Sequence, residues 1–553
     1  MTPTSQGSTT AWHPVSLLLL LSLWIATLGN FPLWTALWHL PETHGLQATG
    51  TLAVLVLVVF AATLLLLCLM VWPRWRKPAG IFLLSVTASS SYFMASYGIV
   101  IDPTMLTNAV QTDAREALEL VSWPLLVTLA LGVALPGLWW WRQPVRPVGA
   151  ARLVAQQVGA ALLALLVAVV LLWASFQDVA SLMRNHKPLR YMINPFNSVY
   201  AVARVSVGQT AQAQAPLQPL GLDARPLAPQ ATADTAPLIV LVVGETARAA
   251  NFGLGGYGRD TTPRLKALQG QGDMVYFSNV ASCGTNTQTS VPCMFSHLGR
   301  EGYADASDRH ENLLDVLQRA GLAILWLDNQ SGCKGVCERV PSVDTRSVSV
   351  AGLCADGQCF DEVMLHQLPQ ELARLPAERR ARGTVVVMHQ MGSHGPAYYK
   401  RSPPAAKHFL PECTSNALQE CPVENIQNAY DNSLRYTDHF LGETVRWLQT
   451  QARPTALVYL SDHGESLGEK GLYLHGMPYR MAPQEQTHVP MLAWVSEPLQ
   501  RNMGWSMACL RAKAKQPWSH DNLFHTLLDL ARVGTSVQNP DLSILSGCTQ
   551  QPA

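Results

Sequence analysis

The hydrophobic pattern changes character part-way along the chain. Toward the amino terminus, long apolar runs stand at roughly 15–37, 51–72, 79–101, 120–141 and 155–176. Each carries about twenty apolar or small residues, the length a helix needs to cross the hydrocarbon core of a bilayer. After residue 236 the runs shorten and become rich in Val, Ile and Leu: LIVLVV (238–243), AILWLD (323–328), TVVVMH (384–389), ALVYLS (456–461) and PMLAWV (490–495). Strands buried on both faces of a parallel sheet have this continuous apolar character. Segments such as 311–320 and 424–451 carry helical spacing between them. The pattern predicts a transmembrane domain of five helices over 1–176 and an α/β domain with a mostly parallel central sheet over 237–553. Between them, 177–207 mixes aromatic and basic residues, as a membrane-surface segment does. The Ala-, Gln- and Pro-rich stretch 208–236 reads as an extended linker.

Composition agrees with a membrane-embedded part, since 48% of residues are hydrophobic and only 14% charged. The first apolar run is too long, and too poor in preceding cations, to be a cleaved signal peptide, and is expected to stay as an anchor. Arg74, Arg76 and Lys77 lie between the second and third runs, and Arg142, Arg146 and Arg152 between the fourth and fifth. Lys and Arg resist translocation, so both loops belong in the cytoplasm and everything after the fifth span belongs outside it. A net charge of +1, with no basic run longer than a short membrane-flanking cluster, gives no support to nucleic-acid binding.

Cysteine usage supports this orientation independently. Cys68 stands alone in an apolar run, whereas the other ten cysteines all fall in the C-terminal region, an even number suited to an oxidising compartment. Spacing suggests the pairs 283–293, 333–337, 354–359 and 413–421, leaving 509–548. No spacing is the CxxC of a zinc knuckle.

In parallel α/β folds, ligands gather outside the carboxyl ends of the strands. Here those ends read GETARAANF, NQSGCKG, QMGSHGP and DHGES. Asp462 and His463, side by side after one strand, and Glu245, one residue past another, are the side-chain types zinc takes. Three such ligands and one open position are the plan of a catalytic zinc site. Taken alone, an Asp-His pair fits a helix cap beside a surface histidine as well. Thr285, in CGTNTQTSVPC, supplies a hydroxyl for the open position, because a metal turns a poor alkoxide donor into a nucleophile. A helix beginning near 286 would direct its positive end at the same place.

The stretches VVGETARAANFGLGGYGRDTTPRL, CGTNTQTSVPCMFS, MHQMGSHGPAYYKR, YDNSLRYTD, LSDHGESLGEKGLYLHG and QTHVPML together resemble the lipid A phosphoethanolamine transferases. These include the mobile colistin-resistance enzymes and belong to the alkaline phosphatase and sulfatase superfamily. The resemblance runs over nearly the whole chain, the five-span anchor included. It implies a zinc site of Glu245, Thr285, Asp462 and His463, with Thr285 the nucleophile that carries phosphoethanolamine as a covalent intermediate. It implies that His394 and His475 hold the phosphate, the acceptor or a second metal. Asn108, Thr112 and Glu116, in TNAVQTDAREALEL, match positions that bind the donor's head group, and their spacing of four places them on one helix face. A solvated helix face has the same spacing. Asn329, Ser331 and Lys334 follow a strand at the active end, and Lys334 can attract a phosphate, although a structural loop reads equally well. His389 reads as a core histidine, and His488 as a residue that packs or hydrogen-bonds structurally before a strand.

The expected enzyme is a monomer in the bacterial inner membrane with its catalytic domain in the periplasm, moving phosphoethanolamine from phosphatidylethanolamine to a lipid A phosphate. Lowered surface charge and resistance to polymyxins would follow. Transfer to a core sugar or periplasmic glycan, and a membrane-anchored phosphodiesterase, remain alternatives. The C/S-x-P-x-R motif of sulfatases is missing around Cys283 and Cys293.

Overall fold

The computed structural model describes residues 11–40, 46–111, 114–227, 235–306, 308–355 and 358–548. The chain forms two compact units, one of Met1–Leu106 with Val121–Ser206 and one of Thr107–Leu120 with Val207–Ala553. Among the described residues of the first unit, five helices are long and apolar enough to cross a membrane: Pro14–Trp38, Thr49–Met70, Arg76–Tyr97, Trp123–Arg142 and Ala150–Ala174. The first is interrupted by a single 3-10 turn at Leu28–Asn30, after which Pro32 opens the continuation. Asn30 compensates for the break: its side-chain amide donates to the carbonyls of Ile25 and Asn194 at 2.8 and 2.9 Å. Lys77 and Arg76 lie over the rings of Trp141 and Trp140, an aromatic and basic girdle of the kind found at membrane boundaries.

The second unit is built on a seven-stranded sheet. Its strands in chain order are β1 (Leu238–Gly244), β2 (Met274–Phe277), β3 (Ala323–Asp328), β4 (Ser342–Asp344), β5 (Thr384–His389), β6 (Thr455–Ser461) and β7 (Met491–Val495). Their spatial order is β2-β7-β6-β1-β5-β3-β4. Every residue of β1, β3, β5 and β6 is buried, which explains their unbroken apolar sequence. The contiguous run from β6 to β4 is parallel.

The segment expected as a further parallel strand, 490–495, is instead β7, which pairs antiparallel to β6 with Leu460 opposite Met491. The connection 462–490 therefore leaves and returns at the same end of the sheet, and this keeps a long loop beside the strand ends that carry the site. β2 and β4 were not legible as strands, being four and three residues long. The stretch expected as an extended linker is helical to Gln214, in the helix Phe196–Gln214. Further on, Leu217–Gln218 and Arg225–Pro226 pair with Arg309–His310 and Val533–Gly534, so backbone pairing ties them to the second unit.

Five disulfides join Cys283–Cys293, Cys333–Cys337, Cys354–Cys359, Cys413–Cys421 and Cys509–Cys548, the pairs that spacing suggests. Cys68 is free and buried.

Candidate metal and transfer site

Sheet register brings the first two site residues together. Ser461 lies opposite Gly244, so the residues that follow, Asp462 and Glu245, leave adjacent strands side by side, and the Asp462 N–H donates to the Gly244 carbonyl at 2.9 Å. His463 comes next in the chain. One ligand atom each from Glu245, Asp462 and His463 lies within 4.8 Å of the others, and all three residues are buried. His463 Nε2 is 3.4 Å from Glu245 Oε1 and 3.2 Å from Asp462 Oδ2. Its Nδ1 lies 2.9 Å from the Gly464 carbonyl, which can only accept, so in the neutral ring the lone pair sits on Nε2 and faces the two carboxylates.

Electrostatics show what this arrangement lacks. Burial works against ionisation of Glu245, but the hydrogen bond and charge of His463 outweigh it and hold the carboxyl well below its ordinary range. Burial and then the neighbouring Glu245 charge push Asp462 up to about 6. Burial lowers the His463 imidazole, yet the two carboxylates raise it to about 10. Two buried carboxylates thus recruit a proton onto His463 as counter-charge. Asp462 Oδ2 is buried and accepts no hydrogen bond. A divalent cation between these atoms would replace that proton and satisfy that oxygen, so the residues fit a metal.

The fourth element is the turn between Cys283 and the helix Thr287–Met294. Asn286 caps this helix by accepting from the Thr289 N–H at 2.9 Å. Thr285 is buried, its carbonyl accepts from the Gly476 N–H at 2.8 Å, and its hydroxyl donates to the Met477 carbonyl at 2.7 Å. The hydroxyl of this turn that meets the acidic cluster is not that of Thr285, as expected, but that of Thr287 at the first position of the helix, 3.2 Å from Glu245 Oε2 and 3.4 Å from His463 Nε2; the Thr246 hydroxyl donates to Glu245 Oε1 at 2.5 Å. His475 joins the cluster with its ring centroid 4.3 Å from that of His463, and His394 stands 5.6 Å beyond His475.

The loop carrying His394 approaches Glu245 so closely that Gly392, at φ +51°, has no room for a side chain: a Cβ there would lie 2.6 Å from the Glu245 carbonyl oxygen. Asp361 fixes this loop by accepting from the N–H groups of Met391 and Gly392. Asn329 supports Asp361 in turn, donating to its carboxylate at 2.8 Å and to the Cys359 carbonyl at 2.9 Å. Its place is therefore behind the site. Lys334 donates to the Ser331 hydroxyl at 2.8 Å and lines a separate cleft of about 280 Å³ with Gln288 and Asn312. None of the hydrogen bonds described for either residue reaches the acidic cluster. Asn108 lies on the helix Pro103–Gln111 and Glu116 on the helix Ala114–Glu119, while Thr112 falls outside the described residues. His389 is a core residue bonded to Asp328 at 3.1 Å, and His488 bonds the Ser278 carbonyl.

Two participants escaped the sequence. Glu465, within DHGES, is fully buried with His475 Nδ1 at 3.4 Å, and burial pushes its carboxyl up to about 8. His520, 237 positions from Cys283 and in no motif, accepts the Cys283 N–H on Nδ1 at 3.0 Å and donates from Nε2 to the Ser461 carbonyl at 2.9 Å. It ties the threonine turn to the strand that delivers Asp462.

Comparison with known proteins gives concordant results for both halves. Residues 57–210 match the family described as phosphoethanolamine transferase EptA/EptB, and residues 237–533 match the sulfatase family. The chain is 38% identical over 541 residues to phosphoethanolamine transferase EptA of Salmonella typhimurium, covering 97% of each chain. It is 39% identical over 475 residues to phosphatidylethanolamine transferase Mcr-1 of Escherichia coli, covering 81% of this chain and 84% of that one. The solved structure of the integral membrane lipooligosaccharide phosphoethanolamine transferase A from Neisseria meningitidis superposes with a TM-score of 0.91 at 33% identity, covering 97% of this chain and 99% of the other. That likeness shows the five-helix anchor joined to a sulfatase-like domain with a mostly parallel sheet.

Proposed function

The chain belongs to the phosphoethanolamine transferase family and is a membrane enzyme of that class, and from this premise we propose that it moves phosphoethanolamine from phosphatidylethanolamine to a phosphate of lipid A through a phosphothreonine on Thr287, whose hydroxyl reaches the acidic cluster, rather than on Thr285. The observation that carries the proposal is the convergence of Glu245, Asp462 and His463 beside the capped helix start, with the Thr287 hydroxyl 3.2 Å from Glu245 Oε2.

Glu245, Asp462 and His463 would hold zinc, their two carboxylates and one imidazole being a common zinc donor set. When bound, zinc supplies positive charge that favours an alkoxide and steadies developing charge on phosphorus oxygens. The chain's own residues do the rest. The Thr287 hydroxyl oxygen attacks phosphorus, the bond to the glycerol oxygen breaks, and diacylglycerol leaves with a proton. His475, facing Glu465 through Nδ1, would hold such a proton and pass it on. A lipid A phosphate oxygen then attacks the same phosphorus, the bond to Thr287 breaks, and the hydroxyl is restored, with His394 orienting the acceptor. Asn108, Thr112 and Glu116 would hold the donor's head group, whereas Lys334, bonded to Ser331 in a separate cleft, has no part in the transfer. The five spans keep the enzyme in the inner membrane, where both lipids are confined, with the sheet domain in the periplasm. Added amine would lower the negative charge of the surface and with it polymyxin binding.

The experiment is transfer from labelled phosphatidylethanolamine to lipid A, with mass analysis of the trapped enzyme. Thr287→Ala should abolish both the adduct and the product, while Thr285→Ala keeps the adduct on Thr287. An adduct on Thr285, or undiminished transfer by Thr287→Ala, overturns the nucleophile assignment. Label on a core sugar instead of a lipid A phosphate overturns the acceptor.

A further inference from the structure

The segment Thr107–Leu120 lies between the third and fourth spans in sequence yet clusters with the sheet domain. What holds it there is a charged group in a buried place. Glu119 is only 5% exposed. Its carboxylate accepts from Arg401 Nη2 at 2.5 Å and from Gln358 Nε2 at 2.8 Å, with Lys400 Nζ 3.6 Å away. The side-chain amide of Asn416 donates to the Glu119 backbone carbonyl at 2.7 Å. Arg401 is also 5% exposed, and all three of its nitrogens are engaged. Nη2 meets Glu119, Nη1 donates to Gln358 Oε1 at 3.0 Å, and Nε donates to the backbone carbonyl of His394 at 2.7 Å.

Stability alone is a weak reason for such a pair. Removing two charges from water costs about as much as their attraction returns, and apolar side chains of like volume hold a fold equally well. What a guanidinium offers beyond that is direction, because its planar fork fixes the placement of every partner at once. One of those partners is the main chain of His394, whose ring starts the row His394, His475, His463 that ends on the acidic cluster. Another is the last residue of the helix Ala114–Glu119. Ionisation of Glu119 agrees with this use: burial opposes it, but Arg401 and Gln358 more than compensate and keep the carboxyl below its ordinary range.

We propose that Glu119 and Arg401 are positioning residues for the transfer reaction, setting the main chain of His394 and locking it to the helix Ala114–Glu119. The proposal rests on the role given to His394 above. Arg401→Lys keeps the charge but loses the fork, so His394 is displaced while the ion pair with Glu119 survives in part.

The test is a double-mutant cycle in the full-length protein in detergent, with phosphatidylethanolamine as donor and lipid A as acceptor. Arg401→Lys should lower kcat by about tenfold, the scale on which small misplacement of a reacting group is felt, and leave KM for the donor within about threefold. In the His394→Ala background the same substitution should change kcat by less than about twofold, because a residue acting through His394 has nothing left to position. Glu119→Gln, isosteric and able to keep the backbone contacts, should repeat the pattern if Arg401→Lys fails to fold. Losses that multiply in the double variant, or wild-type kcat in Arg401→Lys and Glu119→Gln, reduce the pair to a structural contact and overturn the proposal. A fully active His394→Ala overturns it together with the role of His394, while loss of transfer in Thr287→Ala would still stand for the underlying reaction.

Discussion

Replacing His520 by Gln removes an ionisable group from a bridge that both folds and orients the site. The His520 ring accepts the Cys283 N–H on Nδ1 and donates from Nε2 to the Ser461 carbonyl, and it is 1% exposed. Burial pushes the imidazole down to about 4, with the Ser461 hydrogen bond opposing this and the charge of His463 adding to it. Unfolded, the ring returns to its ordinary 6.5. The folded chain therefore binds fewer protons than the unfolded one between these values, and the contribution is complete above the unfolded value and lost as pH falls toward the folded one. The full difference corresponds to about 3 kcal/mol, of which about 2 kcal/mol disappears between about pH 7 and about pH 5. Gln can still accept from Cys283 and donate to Ser461, but it takes up no proton. Denaturant unfolding of wild type and His520→Gln at these two pH values isolates the group, since all other titrations are shared. Wild type should lose about 2 kcal/mol more than the variant on acidification. Equal losses in the two proteins would refute the claim that a neutral, doubly bonded His520 holds the turn.

Gly392→Ala places a Cβ 2.6 Å from the Glu245 carbonyl at a positive φ, so it should displace Glu245 and cost at least about 1–2 kcal/mol of stability along with most of the activity, measured by thermal unfolding and transfer rate. Removal of metal by a chelator should abolish transfer and lower the unfolding temperature, with zinc restoring both; unchanged unfolding would mean that the acidic cluster holds no stabilising ion. Replacing Cys283 and Cys293 together by Ser should cost about 3 kcal/mol from the freed ten-residue loop and reduce phosphothreonine formation. Asn329→Ala should lower activity through the Asp361 turn with little change in donor KM, whereas a raised KM would place Asn329 on the substrate after all.

Much of this architecture was legible because the physics behind it is local. Twenty apolar residues in succession cross a bilayer whatever follows them, and four continuous apolar runs mark core strands because each is buried on both faces, the fifth being buried except at Ala493. Glu245 and Asp462 were readable as site residues since each stands one position past such a strand. The antiparallel turn of β7 was not readable, because its apolar run carries no sign of chain direction. Nor were β2 and β4, whose few residues draw their strand character from neighbours in the sheet.

The sequence by itself determined the five spans, the core strands, the cysteine pairs and the chemical types gathered at the strand ends, all properties of short segments. Only the tertiary structure decided which side chains meet. Register places Glu245 beside Asp462 across 217 positions of chain. Burial leaves Asn329 bracing Asp361 rather than facing the acidic cluster, brings in His520 from a segment with no motif, and gives Arg401, at the end of the stretch MHQMGSHGPAYYKR, its place behind His394. These roles depend on contacts between residues far apart in the chain, and no periodicity or spacing along one segment encodes them.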